Sequence, residues 1–118
     1  MRRKDALGQY GEDAAARYLQ GIGLTLVERN WRCDCGEIDI VAREGSTLVV
    51  CEVKTRSSLA FGSPMEAITP RKIRRMRQLA SRWLDTHDIH APHIRLDVVG
   101  VLQSNMGTPK IDHIRGVE

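Results

Sequence analysis

Residues 36–56 read GEIDIVAREGSTLVVCEVKTR, and the way this stretch turns decides the fold. Gly45-Ser46 separates two runs rich in β-branched residues, the signature of a hairpin with a two-residue loop. That loop pairs 44 with 47 and 43 with 48, and so on until Asp39 faces Glu52 and Glu37 faces Lys54. Opposed residues share a face, and the face recurs every second residue. One face then holds Glu37, Asp39, Val41 and Arg43 with Leu48, Val50, Glu52 and Lys54. The other holds Ile38, Ile40 and Ala42 with Val49, Cys51 and Val53, and it is nearly all apolar. A slip of one residue would bury the acids, so the apolar face pins the register. A loop at 44 and 45 would instead oppose Asp39 to Val50, moving the acids along the strand without changing their face.

The neighbouring segments supply the partners this hairpin needs. Residues 5–22 read as a helix, with Leu7, Gly11, Ala14, Tyr18 and Ile22 at helical spacing and Gly21 and Gly23 ending it. Gly8 and Gly11 each cost roughly 1 kcal/mol relative to Ala inside a helix, so they are expected where another backbone comes close. Residues 24–32 read as a strand. Ser57 to Pro64 reads as a loop. Thr69 is placed to cap a second helix with Pro70 in its first position. Ile73, Met76, Leu79, Ala80, Trp83 and Leu84 form that helix's apolar stripe. Asp85 to His93 reads as loop, residues 94–102 as a strand, and residues 111–114 as a further short edge strand. The order is α-β-β-β-α-β with that last short strand added. This predicts one α/β domain over residues 1–118, a small mixed sheet with antiparallel first strands flanked by helices.

Composition narrows the class. The chain has 118 residues, enough for one core. It lacks the ~18-residue apolar run of a membrane span, and Met-Arg-Arg-Lys is followed by polar sequence rather than a secretory signal. Three cysteines, an odd number, then suggest reduced thiols and a cytoplasmic location. One Phe, two Tyr and two Trp make base stacking a poor main binding mode. A net charge of +3 permits a nucleic-acid partner without requiring one.

The ionisable end of the hairpin face carries the chemistry. Asp39, Glu52 and Lys54, with Glu37 beside them, offer hard oxygen donors suited to Mg²⁺ or Mn²⁺, which bind through one or two carboxylates and keep several waters. Such an ion polarises a phosphoryl oxygen and acidifies a bound water. A lysine alongside can orient or deprotonate that water, or stabilise developing charge. The plainer reading is a solvated face whose charges pair across strands. It must explain why one strand face switches from apolar to ionisable.

GEIDIVAREGSTLVVCEVKTR, preceded by a helix bearing Gly8, Gly11 and Glu12, resembles the YraN family of uncharacterised bacterial proteins. That family is assigned to the restriction-endonuclease-like superfamily, which shares the PD-(D/E)xK motif. The layout is also similar to that of archaeal Holliday-junction resolvases. The likeness spans roughly residues 5–103. It implies a restriction-endonuclease-like three-layer fold and a Mg²⁺-dependent endonuclease acting on DNA, branched DNA included. It implies Asp39 and Glu52 as metal ligands and Lys54 as the water-activating or charge-stabilising residue. Glu12 would be a further ligand or would position one, although a glutamate near a helix start also simply complements the dipole. Glu37-Ile38-Asp39 stands where the motif name would place Pro-Asp.

A basic stripe completes the reading. Arg71, Arg75, Gln78 and Arg82 fall on one helix line, flanked by Lys72, Arg74 and Arg77, with no acid from Thr69 to Leu84. Like charges at i, i+4 repel, so a one-signed helix suits phosphate backbones, while pairing with acids such as Glu66 or Asp85 is the alternative. Arg56 and Lys54 would extend the footprint. Cys33-x-Cys35 falls short of the usual zinc spacing. His87, His90 and His93 read as surface residues, and Asp97 as an internal partner of Arg56 or Arg95. Two readings stand behind the nuclease: a non-catalytic nucleic-acid-binding module in a repair or recombination assembly, and a protein–protein adaptor. A homodimer fits so small a domain on DNA.

Overall fold

The computed structural model describes residues 6–58, 68–104 and 107–118. Helix α1 (Ala6–Gly21) is followed by β1 (Thr25–Cys33), β2 (Gly36–Glu44) and β3 (Thr47–Arg56). Helix α2 (Pro70–His87), β4 (His93–Leu102) and β5 (Lys110–Ile114) complete the chain. The strands form one five-stranded sheet in the order β1-β2-β3-β4-β5. Only β3 and β4 run parallel. Parallel neighbours need a long crossover, and the segment containing α2 provides it.

The mixed sheet flanked by helices is therefore as expected, and the hairpin turns at Gly45-Ser46. Glu44 pairs with Thr47, Arg43 with Leu48 and Ile40 with Cys51, which excludes the alternative loop at 44 and 45. Helix α1 packs Ala14, Ala15 and Leu19 on Ile40, Ala42, Val49 and Cys51. Helix α2 packs Met76, Leu79, Ala80 and Trp83 on Val41, Leu48 and Val50. Both faces of the central strands are thus dry, which is why β3 and β4 read as near-continuous apolar runs. Ile38 packs with the α2 cluster rather than with Ile40, so strand alternation breaks between them.

Local signals explain the helix ends. Leu24 N–H donates to Leu19 O (3.0 Å) and Gly23 N–H to Gln20 O (3.1 Å), a Schellman closure with Gly23 at φ 101°. Thr69 caps α2 by accepting from Lys72 N–H (3.1 Å), with Pro70 in the first turn. The helix runs to His87, further than Leu84, and closes on Asp88 in the left-handed region. His87 is accordingly not a loop residue. It stacks on Trp83 (4.1 Å between ring centroids) and bonds Glu28 at 2.9 Å. Gly11 marks the close approach of α1 to the sheet, though against the Thr55 side chain rather than a backbone. Most of the loop expected at Ser57 to Pro64, and Glu66, lie outside the described residues.

Candidate metal and nucleic-acid site

The site begins where the β2–β3 ladder stops. Its last partners are Ile40 and Cys51. Beyond them Val53 N–H, which the register would aim at the backbone of residue 38, donates instead to Asp39 Oδ2 (2.8 Å). A side chain thereby satisfies a strand donor that would otherwise be left unpaired, and the two strands part. Asp39 and Glu52 do not become ladder partners, nor do Glu37 and Lys54. Glu37 turns to Arg32 of β1 (2.9 Å), its partner in the other ladder.

The parting strands open a cavity of about 560 Å³. Glu12, Asp39, Glu52, Lys54, Arg56 and Lys72 all line it, as do Glu37 and Arg75. Glu52 Oε1 lies 3.2 Å from Lys72 Nζ and 3.9 Å from Lys54 Nζ. Burial pushes the Lys54 amine below its ordinary value, and neighbouring Lys72 pushes the same way, against the pull of Glu52. Helical spacing places Lys72 on the flank of the basic stripe. The Thr69 cap instead sets it in the first turn of α2, against Glu52.

Glu12 is fully buried, 1% exposed. Its Oε1 accepts from Arg29 Nη2 (3.0 Å), Arg29 Nε (3.3 Å) and Asn30 Nδ2 (2.6 Å). Arg29 also reaches Asp13 at 2.7 Å. Burial opposes the Arg29 charge, but the bonds to Asp13 and Glu12 hold it above its ordinary value. Asn30 occupies the left-handed region at φ 56°, which asparagine tolerates better than most residues. No sequence spacing joins residues 12, 29 and 30, so this trio is illegible in the sequence. Only the Gly8-Gly11 close approach signals that α1 brings Glu12 to the sheet.

The carboxylates of Glu12, Asp39 and Glu52 share one cavity without converging on one point. Among the described residues, the only three-residue donor group with all its ligand atoms within 4.8 Å is Cys33, Asp34 and Cys35. Nor do Glu37, Asp39 and Glu52, the three acids expected on one hairpin face, bring their carboxylates within 4.8 Å of one another, since Glu37 is held by Arg32. Asp39 and Glu52 remain hard, half-buried donors on a roomy cavity, a set that fits an ion taking two carboxylates and keeping its waters. Glu12 is engaged by Arg29 and Asn30 beneath them.

The basic stripe divides. Arg82 bonds Asp34 (2.7 Å) and the Cys35 sulfur (2.9 Å), and Arg77 pairs with Glu118. Arg71, Arg74 and Arg75 are exposed, and among the described residues no ion pair engages them. Gln78 is exposed on the same helix, and Arg56 bonds Thr55 O at 3.1 Å. Asp97 pairs with Arg95 rather than Arg56, through two bonds of 2.9 and 3.0 Å. It also accepts from Gly116 N–H (3.0 Å) and lies 2.8 Å from His113 Nε2. This cluster ties β4 to β5 and the C-terminal segment. Cys33 and Cys35 are half-buried against the α2 cluster rather than plain surface residues. Burial raises the Cys51 thiol well above its usual range.

The profile of Uncharacterised protein family UPF0102 matches residues 11–101. A UPF0102 protein of Beutenbergia cavernae is 59% identical over 117 residues, covering 99% of both chains. One of Streptomyces coelicolor is 56% identical over 119 residues, covering 99% of this chain and 92% of its own. One of Nocardioides sp. is 54% identical, covering 97% and 92%. The chain belongs to this family, in agreement with the resemblance drawn from its hairpin. No described helix is long and apolar enough to cross a membrane.

Proposed function

We propose that this chain is a divalent-cation-dependent nuclease that hydrolyses phosphodiester bonds of DNA. One observation carries the reading: Asp39, Glu52 and Lys54 line a single cavity opened by the parting of β2 and β3, with Arg75 on its rim. Asp39 and Glu52 would hold Mg²⁺ or Mn²⁺. When bound, the ion supplies Lewis acidity and charge neutralisation at a phosphoryl oxygen. Lys54 Nζ would orient the attacking water or take its proton, or donate hydrogen bonds to the phosphoryl oxygens on which charge develops. Arg71, Arg74 and Arg75 hold the phosphate backbone without reading sequence. Glu12, fixed by Arg29 and Asn30, lines the same cavity.

The test is nicking of supercoiled and branched DNA by the purified chain with Mg²⁺ or Mn²⁺, set against Asp39→Asn. Asparagine keeps an acceptor for Val53 N–H while removing the charge, so the variant should fold. Its nicking should fall at least about 100-fold, the upper end of what weaker, outer-shell metal contacts are worth. Equal traces of nicking from both proteins would refute catalysis.

A second reading rests on a different observation. Glu52 already has two ammonium groups beside it, at 3.2 and 3.9 Å. A cavity that brings its own cations can grip a phosphate backbone without turnover. In that case Asp39→Asn leaves DNA binding unchanged and nicking is absent throughout.

A further inference from the structure

The β1–β2 turn carries a second donor set of different chemistry. β1 ends at Cys33, β2 begins at Gly36, and these two residues are ladder partners across the turn Asp34-Cys35. Gly36 sits at φ 141°, a conformation that a side chain would strain. The turn brings the sulfur atoms of Cys33 and Cys35 and a carboxylate oxygen of Asp34 within 4.8 Å of one another. Asp34 Oδ1 and Cys35 Sγ are already 3.6 Å apart.

These distances can be set against a tetrahedral ion. Zinc–sulfur bonds of about 2.3 Å and zinc–oxygen bonds of about 2.0 Å give edges of roughly 3.5 Å for S···O and 3.8 Å for S···S. One edge is in place, and the others need to close by at most about 1.0 Å for S···S and about 1.3 Å for S···O. The Cys-x-Cys spacing alone offers two ligands and reads as a poor site. The missing donor is the residue between them, which the turn swings to the same side. The Arg82 guanidinium spans Cys35 Sγ at 2.9 Å and Asp34 Oδ1 at 2.7 Å. A positive group is already seated across two of the three donors. Sulfur donors select a soft ion, whereas the oxygen donors around Asp39 select a hard one.

We propose that Cys33, Asp34 and Cys35 bind one thiophilic divalent ion of the zinc class, which displaces the Arg82 guanidinium. Three protein ligands leave a fourth position to water, so the ion exchanges rather than being locked in. This site is separate from the one read at Asp39 and Glu52, and it stands or falls independently of the nuclease reading.

Co²⁺ is the probe, added to the full chain kept reduced with a phosphine. One equivalent should produce thiolate-to-cobalt absorption in the near ultraviolet, and Zn²⁺ should bleach it. Cys33→Ser and Cys35→Ser should each abolish the band and weaken Zn²⁺ binding by at least ~10–100-fold, the range that even outer-shell partners command. Arg82→Ala should tighten binding several-fold, because no guanidinium has to leave. Asp39→Asn should leave the titration unchanged. A measurement without variants reads the same site: Zn²⁺ should slow alkylation of Cys33 and Cys35 in the wild-type chain, followed by mass spectrometry. Absence of the band in the wild-type chain, its survival in either serine variant, or alkylation indifferent to Zn²⁺ would each overturn the proposal.

Discussion

Replacing Gly11 with alanine tests how closely α1 is seated on the sheet. In an ordinary exposed helix position the change gains up to ~1 kcal/mol. Here the new Cβ would lie 1.8 Å from Thr55 Oγ1, 2.6 Å from its Cγ2 and 2.7 Å from its Cβ. Rotating the threonine could move the first two atoms but not the third, which is fixed to the backbone of β3. The helix itself must therefore back away, and overpacking of this kind costs about 1–3 kcal/mol. An approach as short as 1.8 Å puts the cost in the upper part of that range, about 2–3 kcal/mol, so against the propensity gain the net loss should be about 1–2 kcal/mol. For 118 residues the unfolding entropy is about 0.25 kcal/mol/K, so Tm should drop by roughly 4–8 °C. Gly21, in the last turn of the same helix, would carry a Cβ with nothing within 4 Å of it. Gly21→Ala should accordingly hold or raise Tm, giving the same substitution in the same helix the opposite sign. Urea denaturation of both variants supplies the free energies. A Thr55→Gly partner should relieve Gly11→Ala in a double-mutant cycle, with a coupling of about 1 kcal/mol. A Gly11→Ala chain as stable as wild type would show that α1 does not press on Thr55, and the placement of Glu12 beneath the cavity would lose its support.

Two further outcomes follow. Arg71→Glu with Arg75→Glu should weaken DNA binding and reduce the magnitude of the salt slope of log K by about 2, roughly one for each phosphate that is no longer neutralised, measured by anisotropy at several salt concentrations. An unchanged slope would remove both residues from the interface. Asp97→Ala should cost about 1–3 kcal/mol at pH 7, because Gly116 N–H and His113 lose their buried acceptor and Arg95 is left with Glu44 as its carboxylate. Burial opposes the Asp97 charge, yet bonds from Arg95, Gly116 N–H and His113 hold its carboxyl below the ordinary value of 3.8. A depressed carboxyl stabilises the fold above its unfolded pKa, and that stabilisation fades as pH falls through the folded value. The urea midpoints of wild type and variant should therefore draw together below about pH 4, and a gap that stays constant down to pH 2 would contradict this account.

The hairpin is legible because its two periodicities agree. An alternating apolar face and a Gly-Ser turn admit few registers, and Ile40 opposite Cys51 is the one the core selects. The second helix is legible from Thr69, Pro70 and its apolar stripe for the same reason: local chemistry and burial point the same way. What the sequence does not disclose is where the ladder stops. Ending it at Ile40 depends on one side-chain bond, Asp39 to Val53 N–H, which no periodicity encodes. The same holds for Glu12, whose partners Arg29 and Asn30 arrive from a strand elsewhere in the chain. Pattern alone ends α2 too early, because nothing local distinguishes His87 from a loop residue. Its stacking on Trp83 and its bond to Glu28 extend the helix by tertiary contact rather than by propensity.

The basic helix shows why a count of charges is a poor guide to a binding surface. Six cations on α2 suggest one long footprint, but they face different partners. Lys72 lies against Glu52, Arg77 meets Glu118, and Arg82 bridges Asp34 and Cys35. A cation already held by a carboxylate releases fewer counterions when a phosphate arrives, so it adds little to affinity. On the proposed reading, the footprint that remains is Arg71, Arg74 and Arg75, in the half of α2 nearest the Thr69 cap. Arg75 and Arg56 both line the cavity that holds Asp39 and Glu52. A phosphate backbone drawn to these arginines would run along the mouth of that cavity, close to its carboxylates, rather than along the length of the helix. That geometry makes Arg82 a poor choice for weakening nucleic-acid binding, and its removal a cleaner probe of the thiol site at the β1–β2 turn.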